Sequence, residues 1–151
     1  MTLVLSGDHS IRTGSIVGHL KIFLNSFVIW VDAHADINTP MSSVSRHTHG
    51  MPSPFFSTKP ANSFLKLMAS KASNHFDIDG LDPKYAASTG TPVSGGLSLE
   101  EGKYICKTLG QTGLLKSMVV AEVNTSLGSP EDAKTTLNSA LEIIKSALLL
   151  D

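Results

Sequence analysis

Cysteine is almost missing from this chain: Cys106 is the only one among 151 residues. A single thiol excludes an intrachain disulfide and fits a reducing compartment. Long apolar runs are missing too, and nothing approaches the roughly 20 residues that cross a bilayer. There is no excess of one charge. The formal net charge is -1 and the 12 Lys and Arg are scattered, with no basic stripe. That argues against a nucleic-acid partner. Residues 1–10 lack the basic start and apolar stretch of a secretory signal. The expectation is a soluble, cytoplasmic protein without a membrane partner. With 41% hydrophobic and 17% charged residues, residues 1–151 are predicted to form one globular domain with a usable core.

Strand-like runs alternate with helical patterns. Leu3-Val4-Leu5, Phe27 to Val31, His75 to Asp79 and Leu115 to Val123 read as strands. Helices are expected from His9 to about Leu24, from Asn62 to Ser73, after Ser98, and after Ser129. Ser98 with Glu101 has the capping-box spacing. Ser129-Pro130-Glu131-Asp132 combines an N-cap serine, proline at the first helical position and acids in the first turn. That last helix is expected to bury Leu137, Leu141, Ile144 and Leu148. Residues Asn38 to Ser57 and Asp82 to Gly96 read as loops. The alternation predicts an α/β fold, a parallel sheet with helices on both faces.

Aspartates are the informative residues. Six of them fall in three short clusters, and only Asp132 and Asp151 lie elsewhere. The clusters are Gly7-Asp8-His9-Ser10, Asp32-Ala33-His34-Ala35-Asp36 and Asp77-Ile78-Asp79-Gly80-Leu81-Asp82-Pro83. Each follows a strand candidate, and in a parallel sheet the carboxyl edge is where ligands gather. Crowded carboxylates repel one another, more so when buried, and bound cations relieve that cost. His9, Asp32, His34, Asp36, Asp77 and Asp79 are enough ligands for two ions. Carboxylate oxygens mixed with imidazole nitrogens suit Mn²⁺. Two metals roughly 3.5–4 Å apart can share one water and lower its pKa.

Taken singly, these residues have ordinary explanations. Asp77 and Asp79 suit a turn beside Gly80, and Asp32 and Asp36 suit loop caps. Three clusters at three strand ends favour the metal reading. His47 and His49 follow the second cluster, and a histidine near activated water can shuttle protons. Glu101 either binds a cationic substrate or closes its capping box. Glu122 follows a strand and either faces the site or makes a structural ion pair. Thr89-Gly90-Thr91-Pro92 with Gly95-Gly96 is a tight loop suited to lining a pocket.

These motifs resemble those of the arginases, binuclear manganese enzymes of the ureohydrolase family. The resemblance runs from Gly7 to about Phe56 and from about Phe76 to near the C-terminus. It is carried by Gly-Asp-His-Ser at 7–10, Val-Asp-Ala-His-Ala-Asp-Ile-Asn-Thr-Pro at 31–40, Asp-Ile-Asp-Gly-Leu-Asp-Pro at 77–83 and Thr-Gly-Thr-Pro-Val-Ser-Gly-Gly-Leu at 89–97. It implies a three-layer α/β/α fold and two Mn²⁺ ions. His9, Asp32, Asp36 and Asp79 would bind one metal or bridge, and His34 and Asp77 would complete the pair. A metal-bridging hydroxide would attack the guanidinium carbon of L-arginine, giving L-ornithine and urea. Asp36 would orient the hydroxide, His49 shuttle the proton and Glu101 hold the guanidinium. Thr91 would lie in the same pocket wall, and Asn38 and Ser45 would contact the substrate α-carboxylate. A homo-oligomer of the family's trimeric kind is also implied.

This chain departs from the family pattern. Arg46 and His47 stand where the family has glycine and a carboxylate-binding asparagine. A family chain is about twice this length. Against the family pattern, N-terminal strands ahead of the Gly7 motif, a middle section between Phe56 and His75 and a C-terminal tail are expected to be missing. Two other functions therefore stand beside arginine hydrolysis. One is a catalytically impaired metal-binding relative that associates with other subunits. The other is a ureohydrolase for a different guanidino substrate.

Overall fold

Among the described residues four short strands build one parallel sheet, and β-branched and large apolar residues dominate all but the third in chain order. The computed structural model describes residues 1–34 and 71–150. Within them, β1 is Thr2–Leu5, β2 is Ser26–Val31, β3 is Lys71–Asp77 and β4 is Leu115–Ala121. The spatial order is β1-β4-β3-β2, with every pairing parallel. Among the described residues three α-helices accompany the sheet: α1 (Arg12–Ile22), α2 (Leu99–Gln111) and α3 (Pro130–Leu148). A single 3₁₀ turn, His9–Ile11, leads into α1, and another, Ile78–Gly80, follows β3.

Side chains alternate across a strand, so each strand serves two layers. On one face Ser73, His75 and Asp77 of β3 meet α1 and the turn before it. Ser117 of β4 joins them through hydrogen bonds to Ser73 (2.8 Å) and His19 (2.9 Å). On the other face Phe76, Met118 and Val120 pack with Cys106 of α2 and Ala140, Ile143 and Ala147 of α3. Asn74 points the same way and donates to Cys106 Sγ at 3.4 Å. This is the expected three-layer α/β/α arrangement.

Both expected helix starts are present. Ser98 and Glu101 form a complete capping box on α2, and Ser129 and Asp132 form one on α3 behind Pro130. Three expectations need correction. Residues 71–73 are not the end of a helix but the start of β3; the remainder of that expected helix lies outside the described residues. β4 stops at Ala121, and Glu122 turns away at φ 61°. Lastly, α3 does not bury Leu137 and Leu141, which are each 49% exposed, and Leu148 is exposed as well. It buries Thr136, Ser139, Ala140, Ile143 and Ala147 instead. The reason is close approach of the two helices. A Cβ on Gly110 of α2 would lie 2.4 Å from the Ala147 carbonyl oxygen, so small residues form this contact.

Candidate metal centre

All four strands deliver a residue to the carboxyl edge of the sheet. His9 follows β1, Asp32 and His34 follow β2, Asp77 ends β3 with Asp79 just beyond, and Glu122 follows β4. Parallel strands make this convergence automatic, because every strand ends on the same side. Asp8 caps the turn that carries His9 by accepting from the Ser10 N–H at 2.7 Å. The His9 N–H donates to Glu122 Oε1 at 2.6 Å. Asp77 accepts from the Asp79 N–H at 3.0 Å, which sets both carboxylates in one tight turn. Gly80 lets that turn meet the β2 loop; a Cβ there would lie 3.3 Å from the Asp32 nitrogen.

Two groups of potential ligands result. In one, His9 Nδ1 is 2.5 Å from Asp77 Oδ2 and 3.3 Å from Asp32 Oδ2. In the other, His34 Nδ1 is 3.0 Å from Asp79 Oδ2 and 3.5 Å from Asp32 Oδ1. Within each group the ligand atoms lie within 4.8 Å of one another, and Asp32 belongs to both. The partition differs from the expected one: Asp77 sits with His9, and Asp79 sits with His34. Register decides this, since Asp77 is the last residue of β3 and Asp79 lies past the turn. The three carboxylates and His9 are buried, whereas the His34 side chain is 39% exposed and forms the open side.

The electrostatics are those of a site short of positive charge. Burial pushes the Asp77 carboxyl up strongly, the His9 contact opposes this, and Asp79 and Asp32 push it further up. Burial also disfavours charge on His9, but its hydrogen bonds to Asp32 and Asp77 outweigh that and raise its pKa. For Asp32, burial is overcome by His9, the His34 N–H and Arg12, so the carboxylate stays charged. Glu122 is half-buried, and burial raises its pKa. The donor set, three buried carboxylates with two imidazoles, fits a divalent cation. His9 Nε2 is buried without a hydrogen-bond partner among the described residues, so its ring is held through Nδ1 and the stacked Trp30, 5.1 Å away.

Other expected site residues divide into three sets. Thr91 is brought in: its hydroxyl donates to Asp79 Oδ2 at 3.2 Å. Glu101 is not. Its Oε2 accepts from both the backbone N–H and the hydroxyl of Ser98 at 2.8 Å, on the exposed start of α2. The capping role wins that side chain, and the glutamate that reaches the cluster is Glu122. Asp36, Asn38, Ser45, His47 and His49 lie outside the described residues. The sequence reading overlooked Arg12, Trp30 and His75. Arg12 is buried, its Nε donates to the His9 carbonyl at 2.8 Å, and an Nη lies 3.3 Å from Asp32 Oδ2. His75 stacks 6.0 Å from Trp30, and burial lowers its pKa to about 3. Strand alternation could have revealed His75, two residues before Asp77.

The chain is similar to known proteins in both sequence and fold. A model of the Arginase family matches residues 1–73 and 61–150. Arginase-1 of Oryctolagus cuniculus is 34% identical over 207 positions, covering 95% of this chain and 64% of that protein. Mitochondrial arginase-2 of Homo sapiens is 34% identical over 209 positions, covering 96% of this chain and 59% of that protein. Both alignments are longer than the 151 residues here, so the relatives carry segments that this chain lacks. The chain thus spans under two thirds of these relatives. The fold is similar to the crystal structure of arginase from Bacillus subtilis, with TM-score 0.83 and 27% identity over 97% of this chain and 71% of that one. It is also similar to Entamoeba histolytica arginase in complex with L-ornithine, with TM-score 0.79 and 26% identity over 96% of this chain and 68% of that one. Among the described residues no helix is long and apolar enough to cross a membrane.

Proposed function

Since this chain belongs to the arginase family, we propose that it hydrolyses the guanidinium group of L-arginine to L-ornithine and urea, with two Mn²⁺ ions held by His9, Asp32, His34, Asp36, Asp77 and Asp79. The observation that carries the reading is the convergence of five of these six side chains into two ligand groups sharing Asp32. Asp36 is the sixth and comes from the family resemblance, as do His49, Asn38 and Ser45. When bound, such a pair of ions lowers the pKa of water and stabilises the charge that develops as a guanidinium carbon is attacked.

The protein's own groups have separate tasks in this reading. His9 and Asp77 form the buried floor, packed so that neither ring nor carboxylate can turn away. His34 and Asp79 form the open side, where Thr91 fixes one Asp79 oxygen by a hydrogen bond. Glu122 takes the task expected of Glu101. A half-buried carboxylate at the edge of the cluster suits a planar guanidinium, which pairs with carboxylates through two parallel N–H bonds. The positive φ of Glu122 costs roughly 1–2 kcal/mol in a non-glycine residue, and such strain is commonly kept where a side chain must be aimed. Asp36 orients the attacking water, His49 passes the proton to the leaving amine, and Asn38 and Ser45 hold the α-carboxylate. We place the protein in the cytoplasm, where the buried, unpaired Cys106 stays reduced, and propose a homo-oligomer of the family's kind.

The test is urea release from L-arginine and, separately, from agmatine, with and without Mn²⁺, with Asp77→Asn as control. Mn²⁺-dependent urea from L-arginine that the control abolishes supports the reading. Release from agmatine alone moves the substrate to another guanidino compound. No urea from folded, Mn²⁺-loaded protein leaves a metal-binding relative that associates with other subunits.

A further inference from the structure

We propose that the Arg12 guanidinium is a resident cation of the centre. It supplies part of the positive charge that the carboxylates require, and so weakens the hold of the His9–Asp32–Asp77 group on a divalent ion. The inference rests on the metal reading of that cluster.

Arg12 lies where a cation matters. It is 1% exposed, so water does not screen it. A guanidinium cannot shed its proton to escape burial. Contacts among the described residues hold it: Nε donates to the His9 carbonyl at 2.8 Å, an Nη faces Asp32 Oδ2 at 3.3 Å, and Cζ lies 4.1 Å from the Trp30 ring centroid. Among the described residues, the charge meets Asp32 through its His9-facing oxygen. Asp32 Oδ2, the oxygen on Arg12, is the one that also faces His9 Nδ1. Asp32 Oδ1 faces away, accepting from the His34 N–H at 2.7 Å and lying 3.5 Å from the His34 ring.

Two consequences follow from the charge. Without any metal, a buried cation offsets the repulsion among Asp32, Asp77 and Asp79, so the carboxyl edge holds together. With a metal, the same cation repels the ion and competes for Asp32 Oδ2. Removing it should therefore loosen the metal-free protein and tighten metal binding at once. A purely structural arginine would do only the first.

The protein and its Arg12→Met and Arg12→Lys variants are compared by Mn²⁺ titration, read calorimetrically and by emission of Trp30, and by thermal unfolding in EDTA and in Mn²⁺. Trp30 is the only tryptophan and stacks on His9. Methionine keeps much of the volume without the charge, and lysine keeps the charge. The expected result is that Arg12→Met melts lower in EDTA, gains more from Mn²⁺ than the wild type, and binds Mn²⁺ tighter by at least about tenfold, while Arg12→Lys stays near wild type. If Arg12→Met folds only in Mn²⁺, the proposal is also supported. Unaltered or weaker Mn²⁺ binding in folded Arg12→Met overturns it and leaves the metal reading intact. So does an Arg12→Met protein that is unfolded even in Mn²⁺. Absence of Mn²⁺ binding in all three proteins overturns both.

Discussion

Gly80 lies where the segments after β2 and β3, which carry four of the candidate ligands, approach closely, and Gly80→Ala probes the centre without touching a ligand. The added Cβ would lie 3.3 Å from the Asp32 nitrogen and 3.4 Å from its Cα. Ordinary carbon contacts lie at roughly 3.5–4.0 Å, so the Asp32 segment must retreat by a few tenths of an ångström from the Asp77–Asp79 turn. Metal sites tolerate ligand displacements of only about 0.2 Å. Overpacking of this kind costs about 1–3 kcal/mol. If that cost falls on ligand geometry, it corresponds to a roughly 5- to 150-fold loss of Mn²⁺ affinity. Stability in EDTA should fall less, because alanine returns about 0.4–1 kcal/mol by restricting the unfolded chain, and Gly80 does not occupy the positive-φ region. Mn²⁺ titration by Trp30 emission and urea unfolding in EDTA measure the two effects separately. Gly14→Ala is the control, since nothing lies within 4 Å of its added Cβ. Wild-type Mn²⁺ affinity in folded Gly80→Ala would refute the claim that the two loops must meet this closely to form the site.

Two further predictions follow from residues outside the centre. Gly110→Ala brings a Cβ to 2.4 Å from the Ala147 carbonyl oxygen, a backbone atom that cannot rotate aside. It should destabilise the protein by about 1–3 kcal/mol through separation of α2 from α3, seen in urea denaturation as a lower midpoint. His19 is buried against Ser117, and burial lowers its pKa below 6.5. The unfolded chain therefore binds its proton first, so the stability it contributes is present above pH 6.5 and is lost as pH falls toward the folded-state value. His19→Gln should lose less stability than wild type between pH 7.5 and 5.5; equal losses in parallel urea titrations would contradict this.

Much of the fold was legible because local chemistry dictates it. The runs at Leu3 and Phe27 became β1 and β2, and the capping patterns at Ser98 and Ser129 became helix starts. Where the reading failed, one competition was settled locally and the others by neighbours distant in sequence. Glu101 had two candidate roles, and Ser98, three residues away, holds its carboxylate. Glu122 is linked to His9, 113 residues away, a pairing that exists only because β1 and β4 are adjacent. In α3 the large leucines suggested the buried face, but close contact with Gly110 favours Ala147 and its small neighbours. The start of β3 was hidden because Lys71 to Asn74 carries little hydrophobic periodicity.

By itself the sequence determined that carboxylates and histidines follow the strands, because the chemistry of Asp, His and Gly in short motifs is local. From that came the α/β class, the inventory of candidate ligands and the family. Only the tertiary structure decided which ligand sits with which, that Asp32 serves both groups, that Glu122 rather than Glu101 reaches them, and that Arg12 lies buried among them. These are distances between segments tens of residues apart. The order of strands in the sheet sets them, and no local pattern encodes that order.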